Sequence, residues 1–192
     1  MKAAAKFKWG SDSLTGRTVL VQGVGNVGAS LVAHLTEEGV DVIINDIDNR
    51  RLDELSKKFG ANVAMDDTIF DLDMDIYAPC ALGATVNPET ISRLKCEIIA
   101  GAANNQLENE ARDAQLCVER DICYAPDFLI NAGGLINVHS EITGYNRKNA
   151  LRKTEEIYDT TLEILKKSDL EEITTHNAAL EIAQQIINKK KV

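Results

Sequence analysis

The sequence of 192 residues is poor in proline, aromatic residues and cysteine, and it has no long hydrophobic run. It contains 3 prolines and 4 cysteines, and aromatic residues make up 5% of the chain. The cysteines form no Cys-x-x-Cys pair and no histidine lies at metal-ligand spacing from them, so the sequence predicts neither a disulfide scaffold nor a zinc site. No apolar run approaches the about 18 residues that can span a bilayer.

Positive charge is also scarce, with 21 Lys and Arg against 30 Asp and Glu and a formal net charge of −9. Because nucleic acids and anionic membranes are themselves negative, this balance argues against a nucleic-acid or membrane-surface binder. The amino-terminal segment MKAAAKFKWGSDS lacks the apolar core of a signal peptide. We therefore expect a soluble cytoplasmic protein with free thiols, no nucleic-acid partner and no membrane partner.

Short apolar runs alternate with helical patterns over most of the chain. The predicted strands are 18–22, 41–46, 62–64, 75–78, 97–100 and 122–125. The predicted helices among them are 2–8, 29–38, 50–59, 88–94 and 111–120. Regular alternation of strands and helices indicates right-handed βαβ units around a parallel sheet. The sequence thus predicts an α/β fold of the Rossmann type, doubly wound, with a mostly parallel sheet and extra carboxyl-terminal helices.

The carboxyl-terminal part has a different pattern. From about Gly134 the strands stop, and two long helices are predicted over 146–167 and 175–189. We assign residues 1–145 to the Rossmann domain and residues 146–192 to the carboxyl-terminal helices. Either both helices pack on this domain or one of them reaches toward another domain.

The segment 23-GVGNVG-28 directly follows a predicted strand and directly precedes a predicted helix. In a dinucleotide-binding loop Gly23 would allow the tight turn, Gly25 would let the backbone approach a pyrophosphate, and Gly28 would let the helix pack close to the strand. The amino terminus of the helix would supply N–H groups and a positive dipole to the phosphates. The alternative is a glycine turn with a structural role only.

Asp46 ends the second predicted strand, about 20 residues after the first glycine of this loop. A carboxylate at this place accepts hydrogen bonds from the adenosine ribose and repels a 2′-phosphate, which favours NAD over NADP. We interpret Asp48 as a solvated loop acid. Arg50 and Arg51 keep NADP open as an alternative, because either guanidinium can hold a 2′-phosphate.

Further segments follow later strands: 78-APCALG-83, 101-GAANNQ-106 and 130-INAGG-134. Ligands of open α/β sheets bind outside the carboxyl ends of the strands. The amides in these segments can both donate and accept hydrogen bonds, and they belong to Asn104, Asn105 and Asn131. We expect ligand contact here, and the alternative is that each Asn caps a turn. Cys80 is expected to be a buried thiol and His139 a plain polar residue.

These motifs resemble the coenzyme domain of the glutamate/leucine/phenylalanine/valine amino acid dehydrogenases, and within that family the leucine dehydrogenases in particular. The resemblance extends over nearly the whole chain, and it is carried by GRTVLVQGVGNVG, NDID, APCALGATVNPETI, IIAGAANNQL and YAPDFLINAGGLINVHSEITGYNR. It implies oxidative deamination of L-amino acids to 2-oxo acids and ammonia, with hydride transfer to a nicotinamide cofactor, NAD.

The resemblance also implies roles for individual residues. The implied cofactor contacts are Gly23, Val24, Gly25, Asn26, Val27 and Gly28 at the pyrophosphate, Asp46 at the ribose, Ala81 and Leu82 along the adenosine half, and Ala103, Asn104 and Asn131 beside the nicotinamide. Leu135 and Val138 would line one wall of the substrate pocket, where two aliphatic side chains suit a branched-chain amino acid better than an aromatic one. The alternative is that both are core residues.

In the family the catalytic Lys and Asp lie on an amino-terminal domain, the Lys within a glycine-rich segment that this sequence lacks. We therefore expect a coenzyme domain alone, with no catalytic residue and no metal of its own, and inactive by itself; its first helix corresponds to the one that joins the two domains. We expect the full enzyme to be a homo-oligomer and this chain a monomer or weak dimer. A stand-alone NAD-sensing module and a fragment of a phenylalanine or glutamate dehydrogenase remain alternatives.

Overall fold

The computed structural model describes residues 1–142 and 144–189. Its strands are β1 (Thr18–Gln22), β2 (Asp41–Asn45), β3 (Asn62–Val63), β4 (Ile76–Pro79), β5 (Ile98–Ile99) and β6 (Cys123–Tyr124). Its α-helices are α1 (Lys2–Trp9), α2 (Asn26–Glu37), α3 (Asn49–Phe59), α4 (Pro88–Arg93), α5 (Glu110–Glu119), α6 (Asp127–Ile130), α7 (Gly133–Ile142), α8 (Arg147–Glu171) and α9 (Thr175–Lys189). A 3-10 helix spans Asp67–Asp71.

The strands form one sheet in the order β3-β2-β1-β4-β5-β6, and every neighbouring pair is parallel. The chain therefore reverses its direction of winding between β1 and β4. In an open sheet of this kind the crevice outside the carboxyl ends of those two strands is where ligands bind. The predicted α/β class, the parallel sheet and the Rossmann-type order are confirmed.

The central strands β1 and β2 are apolar at every position between their polar end residues because the sheet is covered on both faces. Val19 and Val21 of β1 are buried in the cluster beneath α1, α2 and α8, whereas Leu20 between them is buried in the opposite cluster with Tyr77. Alternate residues of a strand point to opposite faces, so a strand that is covered twice needs apolar residues at every position. This is the physical basis of the continuous run that predicted β1.

Some local boundaries differ from the predictions. Helix α2 begins at Asn26 rather than at 29, because the glycine loop itself forms the first helical turn. The edge strands β3 and β6 and the adjoining strand β5 have two paired residues each. Neither the 3-10 helix nor α6 was predicted from the apolar spacing, since one or two turns are too short to show a helical period.

Both predicted carboxyl-terminal helices pack on the sheet domain over part of their length. Ile164 and Leu165 of α8 are buried, and α8 lies against α1 and α9. Ala178 and Ile182 of α9 are buried as well. The first turns of α8, by contrast, are exposed apart from Ala150. The boundary between 145 and 146 stays a prediction, and residues 190–192 lie outside the described residues. No helix of the described part is both long and apolar enough to span a membrane.

Candidate cofactor-binding site

The glycine loop lies at the carboxyl end of β1, where the winding reverses, and its conformation requires glycine at two positions. Gly23 has φ +94°, and a Cβ there would lie 2.7 Å from the Cβ of Ala81. A Cβ at Gly28 would lie 2.0 Å from the carbonyl oxygen of Gly23. Strand, turn and helix are thus in direct contact, which brings the amino terminus of α2 up to the sheet edge.

The amino terminus of α2 is open toward the crevice. Its N-cap is Gly25, and no side chain among the described residues caps the helix. A Cβ at Gly25 would meet only the guanidinium of Arg51, at 3.7 Å. The first N–H groups of a helix lack intrahelical partners and carry the positive end of the dipole, so this arrangement suits a phosphate group.

Asp46 connects the glycine loop to the loop after β2. One of its carboxylate oxygens accepts a hydrogen bond from the backbone N–H of Val24 at 2.7 Å, and the other accepts from the N–H of Asp48 at 2.9 Å. The carboxylate is therefore held at the edge of the crevice beside the loop, and each oxygen retains acceptor capacity for a ribose hydroxyl.

The interpretation of Asp48 as a solvated loop acid is wrong. Asp48 is the N-cap of α3, and its Oδ1 accepts from the backbone N–H groups of Arg50 and Arg51 at 3.1 and 3.4 Å. Its Oδ2 lies 3.4 Å from Nε of Arg51 and 3.9 Å from Nη2 of Arg50. An Asp just before a predicted helix start is the sequence pattern of such a cap.

The loops after β4 and β5 are packed against each other. A Cβ at Gly83 would lie 2.5 Å from the backbone oxygen of Asn105, and that oxygen accepts a hydrogen bond from the N–H of Ala84 at 2.7 Å. Asn105 has φ +50°, so it occupies a left-handed turn position, as the capping alternative supposed. Ala81 lies against Gly23, and Leu82 is exposed at the edge of the crevice.

The structure brings Asn104 and Asn131 together. The side-chain amide of Asn131 donates to Oδ1 of Asn104 and also lies 3.5 Å from the carbonyl oxygen of Ala103. The first residue follows β5 and the second lies between α6 and α7, so only the fold makes them neighbours. Together they present amide donors and acceptors at one point of the sheet edge.

Two buried residues that shape this region were missed from the sequence. The side-chain amide of Gln106, which is fully buried, donates to the carbonyl oxygens of Gly101 and Ala103 at 2.8 and 3.0 Å. Asp127 accepts from the backbone N–H groups of Gln106 and Phe128 at 2.9 and 2.8 Å. These bonds hold the 101–106 loop against α6. The sequence signal that could have identified them is a polar residue shortly after a buried strand, since Gln106 follows β5 and Asp127 follows β6.

Cys80 has the environment of a structural thiol. Its Sγ accepts a hydrogen bond from the N–H of Ala102 at 3.5 Å, and burial raises the pKa of the thiol. A nucleophilic cysteine needs a lowered pKa, so this environment does not favour catalysis. No group of His, Cys, Asp and Glu side chains within 1–142 and 144–189 is arranged to hold a metal ion.

Several apolar side chains of the candidate site segments are exposed. Leu135 and Val138 of α7 are 73% and 53% exposed, so the alternative that both are core residues is wrong. Ile47, next to Asp46, is fully exposed, and Val27 is exposed on the first turn of α2. Ile47 was not identified from the sequence, although its position between two loop acids indicates an exposed side chain. Such side chains suit the faces of a flat base.

Comparisons with known proteins show which family the chain is similar to. A family model for glutamate/leucine/phenylalanine/valine dehydrogenase matches residues 42–190. A leucine dehydrogenase of Thermoactinomyces intermedius is 48% identical, over 97% of this chain and 51% of its own length. An L-tryptophan dehydrogenase of Nostoc punctiforme is 46% identical, over 100% of this chain and 54% of its own length.

A solved structure is also similar. The crystal structure of an L-tryptophan dehydrogenase from Nostoc punctiforme superposes with a TM-score of 0.96 at 46% identity, over 98% of this chain and 57% of that one. The chain thus spans about half the length of the curated relatives that it matches. On the fold, the motifs and these matches, the chain belongs to the glutamate/leucine/phenylalanine/valine dehydrogenase family.

Proposed function

We propose that this chain is the NAD-binding part of an amino acid dehydrogenase that oxidatively deaminates branched-chain L-amino acids. The observation that carries the proposal is the convergence, at one point of the sheet edge, of the glycine turn, the uncapped amino terminus of α2 and the Asp46 carboxylate. The nicotinamide ring, when bound, supplies the hydride acceptor. The residues of this chain bind that cofactor, orient it and exclude water from one side of the reaction.

Each candidate residue has a proposed contact that its position supports. The pyrophosphate would meet the backbone of the glycine loop and α2, which comprises Gly23, Val24, Gly25, Asn26, Val27 and Gly28. Asp46 would accept from both ribose hydroxyls, and the adenine would lie between Ile47 and the loop of Ala81 and Leu82. Ala103, Asn104 and Asn131 would contact the nicotinamide half, with the two amides already oriented by their mutual hydrogen bond.

We propose that the catalytic Lys and Asp of the reaction belong to residues outside these 192. The strand-end segments and α7 carry no lysine, which supports this proposal, as does the family resemblance, which implies a separate domain for both catalytic groups. On this proposal the 192-residue chain binds the cofactor but does not deaminate amino acids. The whole enzyme is proposed to be a cytoplasmic homo-oligomer, and sedimentation of this chain alone is expected to show a monomer or weak dimer.

The proposed preference for branched-chain substrates rests on α7. Leu135 and Val138 present aliphatic surface to the solvent rather than to the core, and such a wall complements an aliphatic side chain. Relatives named for leucine and for tryptophan have similar identities to this chain, so overall identity does not separate the two substrate classes. In the complete enzyme, enlarging the pocket with Leu135→Ala is expected to lower the kcat/KM for leucine relative to that for phenylalanine.

A fluorescence titration with NADH tests the cofactor proposal. The chain is expected to enhance NADH fluorescence saturably, and Asp46→Ser is expected to weaken NADH binding and to reduce the preference for NADH over NADPH. Asp53→Ser is the matched control, because it removes the same charge from an exposed position of α3. Absence of NADH binding, or equal effects of the two substitutions, would refute the assigned site. Leucine-dependent reduction of NAD by the purified chain would refute the placement of the catalytic residues.

A further inference from the structure

We propose that Asp48 is a positioning residue for cofactor selection: it neutralises Arg51 and Arg50 beside the ribose position and so prevents them from accepting a 2′-phosphate. The inference rests on the proposed NAD site and adds a second determinant to Asp46. In this view the preference for NAD arises from two carboxylates with different tasks. Asp46 binds the ribose directly, whereas Asp48 acts through the arginines.

The geometry places all of these groups around one turn. The N–H of Asp48 donates to Asp46 at 2.9 Å, so the two carboxylates belong to the same tight loop. Arg51 extends from the first turn of α3 toward the glycine loop, where its Nη1 lies 3.7 Å from the position that a Cβ of Gly25 would occupy. This guanidinium is therefore at the junction between the phosphate cradle and the ribose carboxylate.

The local charges are balanced. The segment from Asp46 to Arg51 contains two carboxylates and two guanidiniums. Oδ2 of Asp48 lies 3.4 Å from Nε of Arg51 and 3.9 Å from Nη2 of Arg50, so one carboxylate faces both cations. A 2′-phosphate, with close to two negative charges, would meet two anions and two cations that are already paired. Loss of the Asp48 charge alone would leave the segment with net positive charge.

The same residue also has a structural task, and the two tasks can be separated. Asp48 is the N-cap of α3, and Asn caps helices about as well as Asp does. Asp48→Asn therefore keeps the cap and removes the charge. Asp48→Glu keeps the charge and weakens the cap, because the longer side chain fits the capping geometry poorly. A purely structural role predicts a larger effect of Asp48→Glu, whereas the electrostatic role predicts a larger effect of Asp48→Asn.

The experiment measures the dissociation constants of NADH and NADPH by fluorescence, on the 192-residue chain in which Asp46→Ser has removed the dominant repulsion. Adding Asp48→Asn is expected to lower the dissociation constant of NADPH about threefold or more at low salt and to leave that of NADH within about twofold, as removal of one charge from near a phosphate predicts. Adding Arg51→Gln as well is expected to abolish the gain. Concentrated salt should shrink the gain, because it screens exposed charges.

The outcomes separate this inference from the proposed function. An unchanged NADPH affinity on adding Asp48→Asn, or an equal gain from Asp48→Glu, would overturn the role of Asp48 while leaving the NAD site in place. A gain that survives Arg51→Gln would overturn the role of that arginine. If the unsubstituted chain binds neither cofactor, the proposed function fails and this inference fails with it.

Discussion

Replacing Gly23 with alanine tests the contact on which the cofactor loop is built. Two costs are expected in the folded state. At φ +94°, a residue with a Cβ destabilises the folded state by about 1–2 kcal/mol relative to glycine. The new Cβ would also lie 2.6 Å from the backbone nitrogen and 2.7 Å from the Cβ of Ala81, and overpacking of this kind costs about 1–3 kcal/mol.

The free energy of unfolding should therefore fall by about 2–5 kcal/mol, the sum of these two costs. In a domain of this size each kcal/mol lowers the Tm by about 2–4 °C. Thermal and urea unfolding can be followed by circular dichroism and by the fluorescence of Trp9, the one tryptophan of the chain. NADH binding should weaken in the same variant, because the loop must shift to make room for the methyl group.

Gly60→Ala is the matched control. Gly60 also has a positive φ, +72°, but nothing lies within 4 Å of the position of its Cβ. The free energy of unfolding of this variant should fall only by the conformational cost of about 1–2 kcal/mol, and the variant should bind NADH normally. Equal losses of stability in the two variants would refute the close approach of the glycine turn to the loop after β4.

The remaining predictions concern other parts of the molecule. Asp127→Ala leaves the buried N–H of Gln106 and the partly buried N–H of Phe128 without their acceptor. It should cost about 2–4 kcal/mol in urea unfolding, with weaker NADH binding, and a loss below about 1 kcal/mol would contradict its proposed role in the loop. Leu135→Ala should change the free energy of unfolding by less than about 0.5 kcal/mol, whereas the buried Leu165→Ala should cost about 2–5 kcal/mol; equal costs would place Leu135 in the core. Burial raises the pKa of three thiols, those of Cys96, Cys117 and Cys123, from 9.0 to about 12. The unfolded chain ionises first, so this contribution to stability is complete below pH 9 and is lost as the pH rises from 9 toward 12. Unfolding at about pH 8 and at about pH 10.5 should therefore show a decrease, and an unchanged free energy of unfolding would contradict the burial of these thiols.

Much of the fold could be predicted because it depends on local patterns. The continuous apolar run of β1 indicated a strand that is covered on both faces, and Leu20 and its neighbours are buried in two opposite clusters. The glycine spacing, together with the acid at the end of β2, located the loop and its partner carboxylate. The structure then showed that Asp46 also holds the loop through the N–H of Val24.

Other features could not be predicted, because they depend on residues that are distant in the sequence. Gln106 and Asp127 are 21 positions apart, and nothing in the local pattern of either residue shows that the backbone of one donates to the carboxylate of the other. Asp48 could have been recognised from local spacing as a helix cap beside Arg50 and Arg51, but the approach of Arg51 to the glycine loop depends on how α3 packs beside α2. Exposure is equally non-local, since the same leucine is core or surface depending on what covers it.

By itself the sequence thus determined the class of fold, the order of its strands and helices and the position of the glycine loop, because hydrophobic period and glycine spacing act within a few residues. Only the tertiary structure decided that Asn104 meets Asn131, that Leu135 and Val138 are exposed, and that Arg51 approaches the glycine loop at Gly25. Those relations arise when the carboxyl ends of separate parallel strands are brought to one edge, and packing, rather than local propensity, sets the distances between them.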